Sequence, residues 1–377
     1  MKFLVLTPGV FDKGGISRYG RFQIKALRDY YGIDSVRVLS LLGPDKESLE
    51  EEFSVDWYGS PVPTLISRVK FSYQAFRYAI SDKPNIVLTG HLNIGPLGRL
   101  CSYLSGGLLV QYIYGREVWS GFSKARKKAL IKADALIADC HNTADYVVHA
   151  DLRKEKPFVV WDCVDTDRYT PGEPNKEVLE QYGLTRSNRF RLMFLGRLHK
   201  SVRYKGTERM LHLLADLPIE FEGVIAGGGD DVGYLRELAI KLGIADRIYF
   251  PGRIHEDHMP DVYRSADVFY LVSEAGQGMG EGLPLTPIEA MACGVPVIVG
   301  NQDGSREILD ESGGGICVSP IDSGYIVGYL KILESDRLYN QLERNSARLR
   351  SIAVFSYTHF AKNTIGAIRS LLSGIAN

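Results

Sequence analysis

The stretch "GEGLPLTPIEAMACGVPVIVG", residues 280–300, decides the fold that this sequence predicts. Thr286 is a predicted helix N-cap, Glu289 follows three residues later as its capping-box partner, and Gly294 is the predicted end of the helix. The apolar run "VPVIVG" comes next and is typical of a strand buried on both faces of a parallel sheet. Glu281 precedes the helix in a glycine-rich loop, where a carboxylate contributes little to folding. It is therefore a candidate functional residue.

The same alternation of apolar runs and amphipathic segments continues along the chain. Before residue 165 the apolar runs include "FLVLTPG", "NIVLTGH", "LLVQYIYG" and "ALIADC", and after residue 180 they include "RLMFLGRL", "FEGVIAGGG" and "VFYLVSE". Two such series, separated by the polar segment "TPGEPNKE", predict two doubly wound α/β domains with parallel sheets. Ligands of these sheets bind beyond the carboxyl ends of the strands, so the loops after each run hold the candidate residues.

Composition excludes several classes of protein. The 377 residues are 24% charged and 45% hydrophobic, with 45 basic and 45 acidic side chains, so no global charge indicates a nucleic-acid partner. Five scattered cysteines without C-x-x-C spacing predict reduced thiols and no zinc site. The N-terminal "MKFLVLTPG" has too short an apolar run for a signal peptide. We expect a cytoplasmic protein that touches the inner face of a membrane at most from its surface.

Two loops carry groups suited to anions. In "TPGVFDKGGISRYG", Gly14 and Gly15 would let backbone amides approach a phosphate at a helix N-terminus, and an ordinary strand-to-helix turn is the alternative. In "FLGRLHKSVRYKG", Arg197 and Lys205 follow a strand. An arginine fork and a lysine charge suit a diphosphate, and a solvated basic loop is the alternative.

Three further patterns have competing interpretations. The basic segment "SKARKKALIKAD", residues 123–134, predicts either an amphipathic helix that binds anionic lipid or an ordinary surface helix, and we favour the surface helix. The sequence "DTD" at 165–167 has the spacing of a metal-binding motif, but its place at the domain junction argues against a metal. The glycines at 227–229 are explained by a strand-end turn, and a place for one of them near the phosphates is the alternative.

Taken together, these motifs resemble glycosyltransferase family 4, the retaining nucleotide-sugar transferases of GT-B fold. Glu281 and Glu289 have the spacing of the E-x7-E signature of that family, and "GGISRY", "VDTDRYTP", "GRL…YKG", "FPGRI" and "FSYTHFA" occur in the family's order. The resemblance covers nearly the whole chain. It implies a Rossmann-like acceptor domain over 1–168, a Rossmann-like donor domain over 169–352 that faces it across a cleft, and a C-terminal helix over 353–377 that packs back on the first domain.

The resemblance also implies roles for single residues. Glu281 would contact the transferred sugar, and Glu289 would bind the ribose hydroxyls. Arg197 and Lys205 would hold the diphosphate, so that these two residues and Glu281 form the implied catalytic set. The other implied donor-binding residues are Gly14, Gly15, Arg253, Ile254, Gly282, Leu283 and Pro284. The candidate substrate contacts are His91, Tyr114 and Glu117, and a structural role is the alternative for His91 and Glu117.

Three features depart from the family pattern. Tyr114 stands where many members have a histidine near the donor sugar, and Asp162-Cys163 replaces the usual Asn-Gly. The interval from Ser273 to Glu281 is longer than in many relatives, which predicts an elaborated loop beside the sugar. These departures bear on the identity of the donor sugar rather than on the class of protein.

The activity implied by the resemblance is transfer of a hexosyl unit from a nucleoside diphosphate sugar to a hydroxyl, with retention of configuration. Front-face attack is implied, without metal or cofactor, and the leaving phosphate accepts the proton. We expect a UDP-sugar such as UDP-glucose as donor, with GDP-mannose second, and a saccharide or lipid-linked saccharide acceptor of polysaccharide or glycolipid synthesis. The alternatives are a UDP-sugar 2-epimerase of the same fold and a non-catalytic sugar-nucleotide-binding protein.

Overall fold

The chain divides into two compact units. The computed structural model describes residues 1–12, 14–44, 54–59, 62–185, 187–276 and 278–376. One unit comprises Met1–Cys163 with Tyr357–Asn377, and the other comprises Val164–Ser356. The chain passes from one unit to the other after Cys163 and again after Ser356. Both points lie beside a parallel bridge between Val164 and Ser356, where the Val164 N–H donates to the Phe355 carbonyl at 2.9 Å. These points lie within five residues of the predicted boundaries.

The first unit is a parallel sheet between helices. Its strands are β1 (Phe3–Gly9), β2 (Val36–Leu42), β3 (Asp56–Gly59), β4 (Ile86–Thr89), β5 (Leu108–Ile113), β6 (Ala135–Ala138) and β7 (Phe158–Val159). Its helices are α1 (Gly15–Tyr31), α2 (Leu65–Ser81), α3 (Gly95–Ser105), α4 (Arg116–Trp119), α5 (Lys124–Ile131), α6 (His141–His149) and α14 (Tyr357–Ala376). Within the described residues the strand order is β3-β2-β1-β4-β5-β6-β7.

Strand β1 shows why the apolar runs of the sequence are continuous. Successive side chains of a strand point to opposite faces of the sheet. Phe3 and Val5 pack into a core shared with α1 and α14, whereas Leu4 and Leu6 pack into a core shared with α2 and α3. Because both faces are covered, each position must be apolar, as the doubly wound prediction requires.

The C-terminal helix α14 packs on α1, as predicted. Phe360 meets Tyr19 edge-on, with ring centroids 5.1 Å apart. Phe360 and Ile368 are buried in the same core as Tyr19. The helical apolar spacing of the last twenty residues therefore serves the core of the first unit.

Helix α5 differs from the amphipathic lipid-binding helix considered for 123–134. Ala129, Leu130 and Ala133 are buried in a core of the first unit or beside it, and Ala125 is exposed. The helix thus turns its apolar side inward, which agrees with the surface-helix interpretation. Among the described residues, no helix is long and apolar enough to cross a membrane.

The second unit has the same layered construction. Its strands are β8 (Phe190–Leu195), β9 (Phe221–Ala226), β10 (Ile248–Tyr249), β11 (Val268–Leu271), β12 (Val297–Gly300) and β13 (Gly315–Val318). Its helices are α7 (Lys176–Gln181), α8 (Thr207–Asp216), α9 (Val232–Lys241), α10 (Met259–Arg264), α11 (Leu285–Ala292), α12 (Ser323–Ser335) and α13 (Arg337–Phe355). In the described part of the chain the parallel strand order is β10-β9-β8-β11-β12-β13.

Candidate functional site

Two of the three predicted catalytic residues meet at one edge of the second sheet. Lys205 follows β8 and Glu281 follows β11, and these strands are neighbours. The Lys205 Nζ lies 3.0 Å from Glu281 Oε1, and both side chains are only 13% exposed. The contact is an ion pair without hydrogen-bond alignment. Because little water screens the two charges, each strongly influences where the other can lie.

Gly206 determines how Lys205 is presented. Its φ is +89°, a conformation that favours glycine. A Cβ at this position would lie 2.4 Å from the Val272 carbonyl oxygen. The chain can therefore pass close to the end of β11 and begin α8 at Thr207 only because residue 206 has no side chain.

Arg197 lies at the same edge, on an exposed loop after β8. The next residue, Leu198, donates its N–H to the Gly228 carbonyl at 3.0 Å, which joins this loop to the glycine turn after β9. The Arg253 side chain lies over that turn, since a Cβ on Gly228 would be 3.0 Å from Arg253 Nε. Ile254 follows and is half-buried. The ends of β8, β9 and β10 thus bring Arg197 and Arg253 to neighbouring loops.

Asp303 holds the backbone of Glu281 in place. The Glu281 N–H and the Ser273 hydroxyl both donate to Asp303 Oδ2, at 2.8 and 2.7 Å. The Ser305 N–H donates to Oδ1 at 3.0 Å, and the Gly304 N–H donates to the Glu281 carbonyl at 3.1 Å. Asp303 is 0% exposed. Burial raises the pKa of its carboxyl, while the hydrogen bonds from Glu281, Ser273 and Ser305 oppose that shift.

The sequence prediction missed both Asp303 and Ser273. Ser273 follows β11 and Asp303 follows β12, so both lie at carboxyl ends of neighbouring parallel strands. That position was the available signal, together with the Asp-Gly pair at 303–304. Without the strand order, nothing in the sequence indicates that Asp303 contacts the loop of Glu281.

Glu289 is placed differently from the capping-box prediction, which is wrong. Pro284 is the N-cap residue of α11 and no side chain caps this helix, so Thr286 lies inside the first turn. A capping glutamate must lie three residues after the cap, and Glu289 is five residues after Pro284. It is 1% exposed instead, and its Oε2 accepts from the Tyr263 hydroxyl at 2.6 Å. Gly294, with φ +73°, follows the end of α11 as predicted.

The residues between the two glutamates form the approach to α11. Gly282 is partly exposed, whereas Leu283 and Pro284 are buried. The first backbone N–H groups of a helix lack partners within the helix and favour an anion. The amides predicted to reach sugar or phosphate therefore lie between Glu281 and the start of α11.

The D-x-D sequence at the junction forms a turn. Asp165 Oδ1 accepts from the N–H groups of Asp167 and Arg168, at 3.0 and 3.1 Å. These bonds explain the first aspartate without a ligand. In the described residues, no group of three or more His, Cys, Asp or Glu side chains is arranged to hold a metal ion.

The glycine loop of the first unit is occupied by its own carboxylate. The Gly14 N–H donates to Asp12 Oδ1 at 2.8 Å. The Ser17 hydroxyl contacts Asp12 Oδ2 and donates to the Gly9 carbonyl at 3.0 Å. Helix α1 then begins at Gly15. These contacts fit the strand-to-helix alternative, and an anion at the Gly14 amide would have to displace Asp12.

His91, Tyr114 and Glu117 form one cluster of the first unit. The His91 Nδ1 accepts from the Asn93 N–H at 3.0 Å, and the rings of His91 and Tyr114 are stacked with centroids 6.3 Å apart. Burial and the nearby Arg126 lower the pKa of His91 to about 4, so its ring is neutral at pH 7. Glu117 Oε1 accepts from the Tyr114 N–H at 2.6 Å, and burial raises the pKa of this carboxyl.

Comparison with known proteins identifies the segment that contains the ion pair. Residues 175–349 match the sequence model described as "Glycosyl transferases group 1". This segment, slightly less than half of the chain, is similar to that family. The predicted family is therefore confirmed at this level, and the matched segment includes Arg197, Lys205, Arg253, Glu281 and Glu289.

Two curated relatives each match the chain over 40% of their own length. The chain is 36% identical over 161 residues to a Mycobacterium tuberculosis protein named GDP-mannose-dependent alpha-(1-6)-phosphatidylinositol monomannoside mannosyltransferase, covering 41% of this chain and 40% of that one. It is 27% identical over 186 residues to mannosylfructose-phosphate synthase of Agrobacterium fabrum, covering 47% and 40%.

Solved structures match the chain over nearly its whole length. Anabaena HepE, crystallised in complex with UDP, covers 98% of this chain and 100% of its own, with a TM-score of 0.78 and 18% identity. Sucrose-phosphate synthase from Thermosynechococcus elongatus covers 99% and 100%, with a TM-score of 0.77 and 19% identity. At these identities the likeness concerns the fold, and it confirms the predicted GT-B architecture.

Proposed function

We propose that the chain is a retaining glycosyltransferase that moves a hexosyl unit from a nucleoside diphosphate sugar to a hydroxyl of a saccharide or lipid-linked saccharide acceptor. The observation that carries this proposal is the ion pair of Lys205 with Glu281 inside the family segment. Asp303 holds the Glu281 backbone. A cation and a carboxylate on neighbouring strand ends offer one group for a phosphate and one for sugar hydroxyls.

In the proposed reaction, the diphosphate binds Lys205 and Arg197. Lys205 supplies a compact charge, and the exposed Arg197 supplies a planar fork that can bind two oxygens. These cations and the N-terminus of α11 stabilise the charge that develops on the leaving phosphate. The sugar–phosphate bond breaks as the new glycosidic bond forms on the same face, and the leaving phosphate accepts the proton of the acceptor hydroxyl.

Glu281 is proposed to orient the sugar and to stabilise its positive charge rather than to attack it. Since Lys205 pairs with Glu281 in the structure, a bound diphosphate competes with that carboxylate for the lysine. Donor binding then leaves Glu281 oriented by its backbone contacts alone. Glu289 is proposed to bind the ribose hydroxyls, and because it is 1% exposed this role requires movement around α11.

For the donor, we propose a UDP-sugar such as UDP-glucose, with GDP-mannose as the second candidate. The first choice is supported by the fold relative Anabaena HepE, crystallised with UDP and glucose. The second is supported by the 36% identical Mycobacterium tuberculosis relative, whose name specifies GDP-mannose. That second match is the more similar in sequence, so both donors belong in the first experiment.

A thermal-shift panel of UDP, GDP, ADP and CDP tests the donor site. A ligand that binds only the folded chain raises its melting temperature, and we expect a selective response to UDP or GDP. Lys205→Met should abolish that response. Lys241→Met, on the exposed side of α9, is the matched control and should retain it. If no diphosphate raises the melting temperature, or if Lys205→Met responds like the parent, the proposed donor site is wrong.

Turnover assays separate the proposed activity from its rivals. Acceptor-dependent release of UDP or GDP in the presence of EDTA, with the product anomer identified by NMR, supports a retaining, metal-independent transferase. Glu281→Gln should then lower kcat at least 100-fold while the nucleotide still raises the melting temperature. Isomerised donor without acceptor would indicate an epimerase, and nucleotide binding without turnover would indicate a non-catalytic binding protein.

A further inference from the structure

Helix α2 of the first unit has two apolar faces. Phe71 and Ala75 lie on the first face, in the core against the sheet. Leu65, Val69 and Tyr73 follow one another at intervals of four, so they share a second face. They are 78%, 60% and 64% exposed. The core explains the first face and leaves the second without a packing role among the described residues.

Helix α3 extends this exposed face. It packs beside α2, and its Leu100 and Tyr103 are 51% and 85% exposed. We define the α2–α3 surface by Leu65, Ile66, Val69, Tyr73, Leu100 and Tyr103. Exposed apolar side chains grouped on two neighbouring helices are typical of a site of interaction.

In the helices that carry and flank the α2–α3 surface, all charged residues are basic. Helix α3 also packs against α5, so α2, α3 and α5 lie on the side of the sheet opposite α1 and α14. These three helices contain no acidic residue. Their basic residues are Arg68, Lys70, Arg77, Arg99, Lys124, Arg126, Lys127 and Lys128.

We propose that the α2–α3 surface docks on an anionic lipid bilayer. Exposed leucine, isoleucine, valine and tyrosine side chains can enter the region between headgroups and acyl chains, while flanking lysines and arginines attract lipid phosphates. A second copy of the chain fits poorly, because a symmetric contact would bring the same basic helices together. The surface uses different helix faces from the one considered for α5, and its role does not depend on the proposed transfer reaction.

Vesicle co-sedimentation of the full chain tests this docking. We expect binding to vesicles of phosphatidylcholine and phosphatidylglycerol, little binding to phosphatidylcholine alone, and weakening by salt. Val69→Glu with Tyr73→Glu should lower the partition coefficient at least tenfold. Lys70→Gln and Arg77→Gln should each lower it about fivefold.

The matched control is Leu338→Glu with Leu342→Glu on α13. These residues are 71% and 55% exposed and have the same spacing of four, but they lie in the other unit. This variant should bind vesicles like the parent, and both double variants should keep the parent's melting temperature.

Three results would overturn the proposal: no binding of the parent to anionic vesicles, equal binding to neutral vesicles, or undiminished binding of Val69→Glu with Tyr73→Glu. A dimer in analytical ultracentrifugation that this double variant dissociates, without vesicle binding by the parent, would assign the surface to self-association and would also refute lipid docking.

Discussion

Replacing Asp303 by alanine removes the acceptor for three donors at once. The Glu281 N–H, the Ser273 hydroxyl and the Ser305 N–H all donate to this carboxylate at 2.7–3.0 Å, and Asp303 is 0% exposed. A buried donor left without an acceptor costs about 1–3 kcal/mol. Water entering the small space left by the carboxylate keeps each cost near the lower end, so we expect the free energy of unfolding to fall by about 3 kcal/mol.

Asp303→Asn separates the positioning role from simple loss of packing. Asparagine keeps the volume and one acceptor oxygen, but it places an NH2 group against one of the donors. We expect a loss of about 1–2 kcal/mol in stability. Because the Glu281 N–H is held less firmly, kcat should fall about tenfold to 100-fold, whereas the thermal shift produced by nucleotide should persist.

Urea unfolding of the parent, both Asp303 variants and Asp322→Asn measures these differences. Asp322 is an exposed aspartate that makes no side-chain cap hydrogen bond at α12, so its variant should match the parent within about 0.5 kcal/mol. The reasoning is refuted if Asp303→Ala unfolds like the parent, or if Asp303→Asn retains full kcat.

The pH dependence provides a second check on Asp303. Burial raises the pKa of this carboxyl in the folded state, so the folded chain binds its proton more readily than the unfolded chain does. The associated stability is fully present below the unfolded pKa and is lost as pH rises through the folded pKa. On acidification the parent should therefore gain stability relative to Asp303→Asn, and an unchanged difference between pH 7 and pH 4 would contradict the assignment.

Three other measurements test the packing around the candidate residues. Tyr263→Phe removes the hydroxyl that donates to buried Glu289 at 2.6 Å, and urea unfolding should show a loss of about 1.5–3 kcal/mol. Gly206→Ala combines positive φ with a Cβ 2.4 Å from a carbonyl oxygen, so it should lower the free energy of unfolding by more than about 2 kcal/mol. Gly328→Ala is the control in α12, where a Cβ meets open space, and it should raise the free energy of unfolding by about 0.5–1 kcal/mol. NMR titration should show that the His91 ring stays uncharged until the pH approaches its pKa of about 4. The contribution of the neutral ring to stability is therefore present above pH 6.5 and is lost as pH falls toward 4. Charging of the ring near pH 6.5 would refute its burial.

The alternation of helices and strands was predictable because the sheets are buried on both faces. Leu4 and Leu6 pack on one side of β1, while Phe3 and Val5 pack on the other, so the strand is apolar at each of these positions. The first residue of α11 was not predictable in the same way, and the capping box expected at Thr286 is absent. An N-cap at Pro284 starts α11 two residues earlier, and burial against Tyr263 places Glu289 more firmly than a local cap would.

The sequence by itself determined two parallel-sheet units, the family, and the strand-end loops that carry Arg197, Lys205 and Glu281, because these follow from local apolar periodicity and short motifs. Only the tertiary structure decided that Lys205 pairs with Glu281 and that Asp303 holds the Glu281 backbone. It also decided that α2, rather than α5, exposes an apolar face. Such outcomes depend on which strands are neighbours and which helix face the sheet covers, and neither is encoded by residues adjacent in sequence.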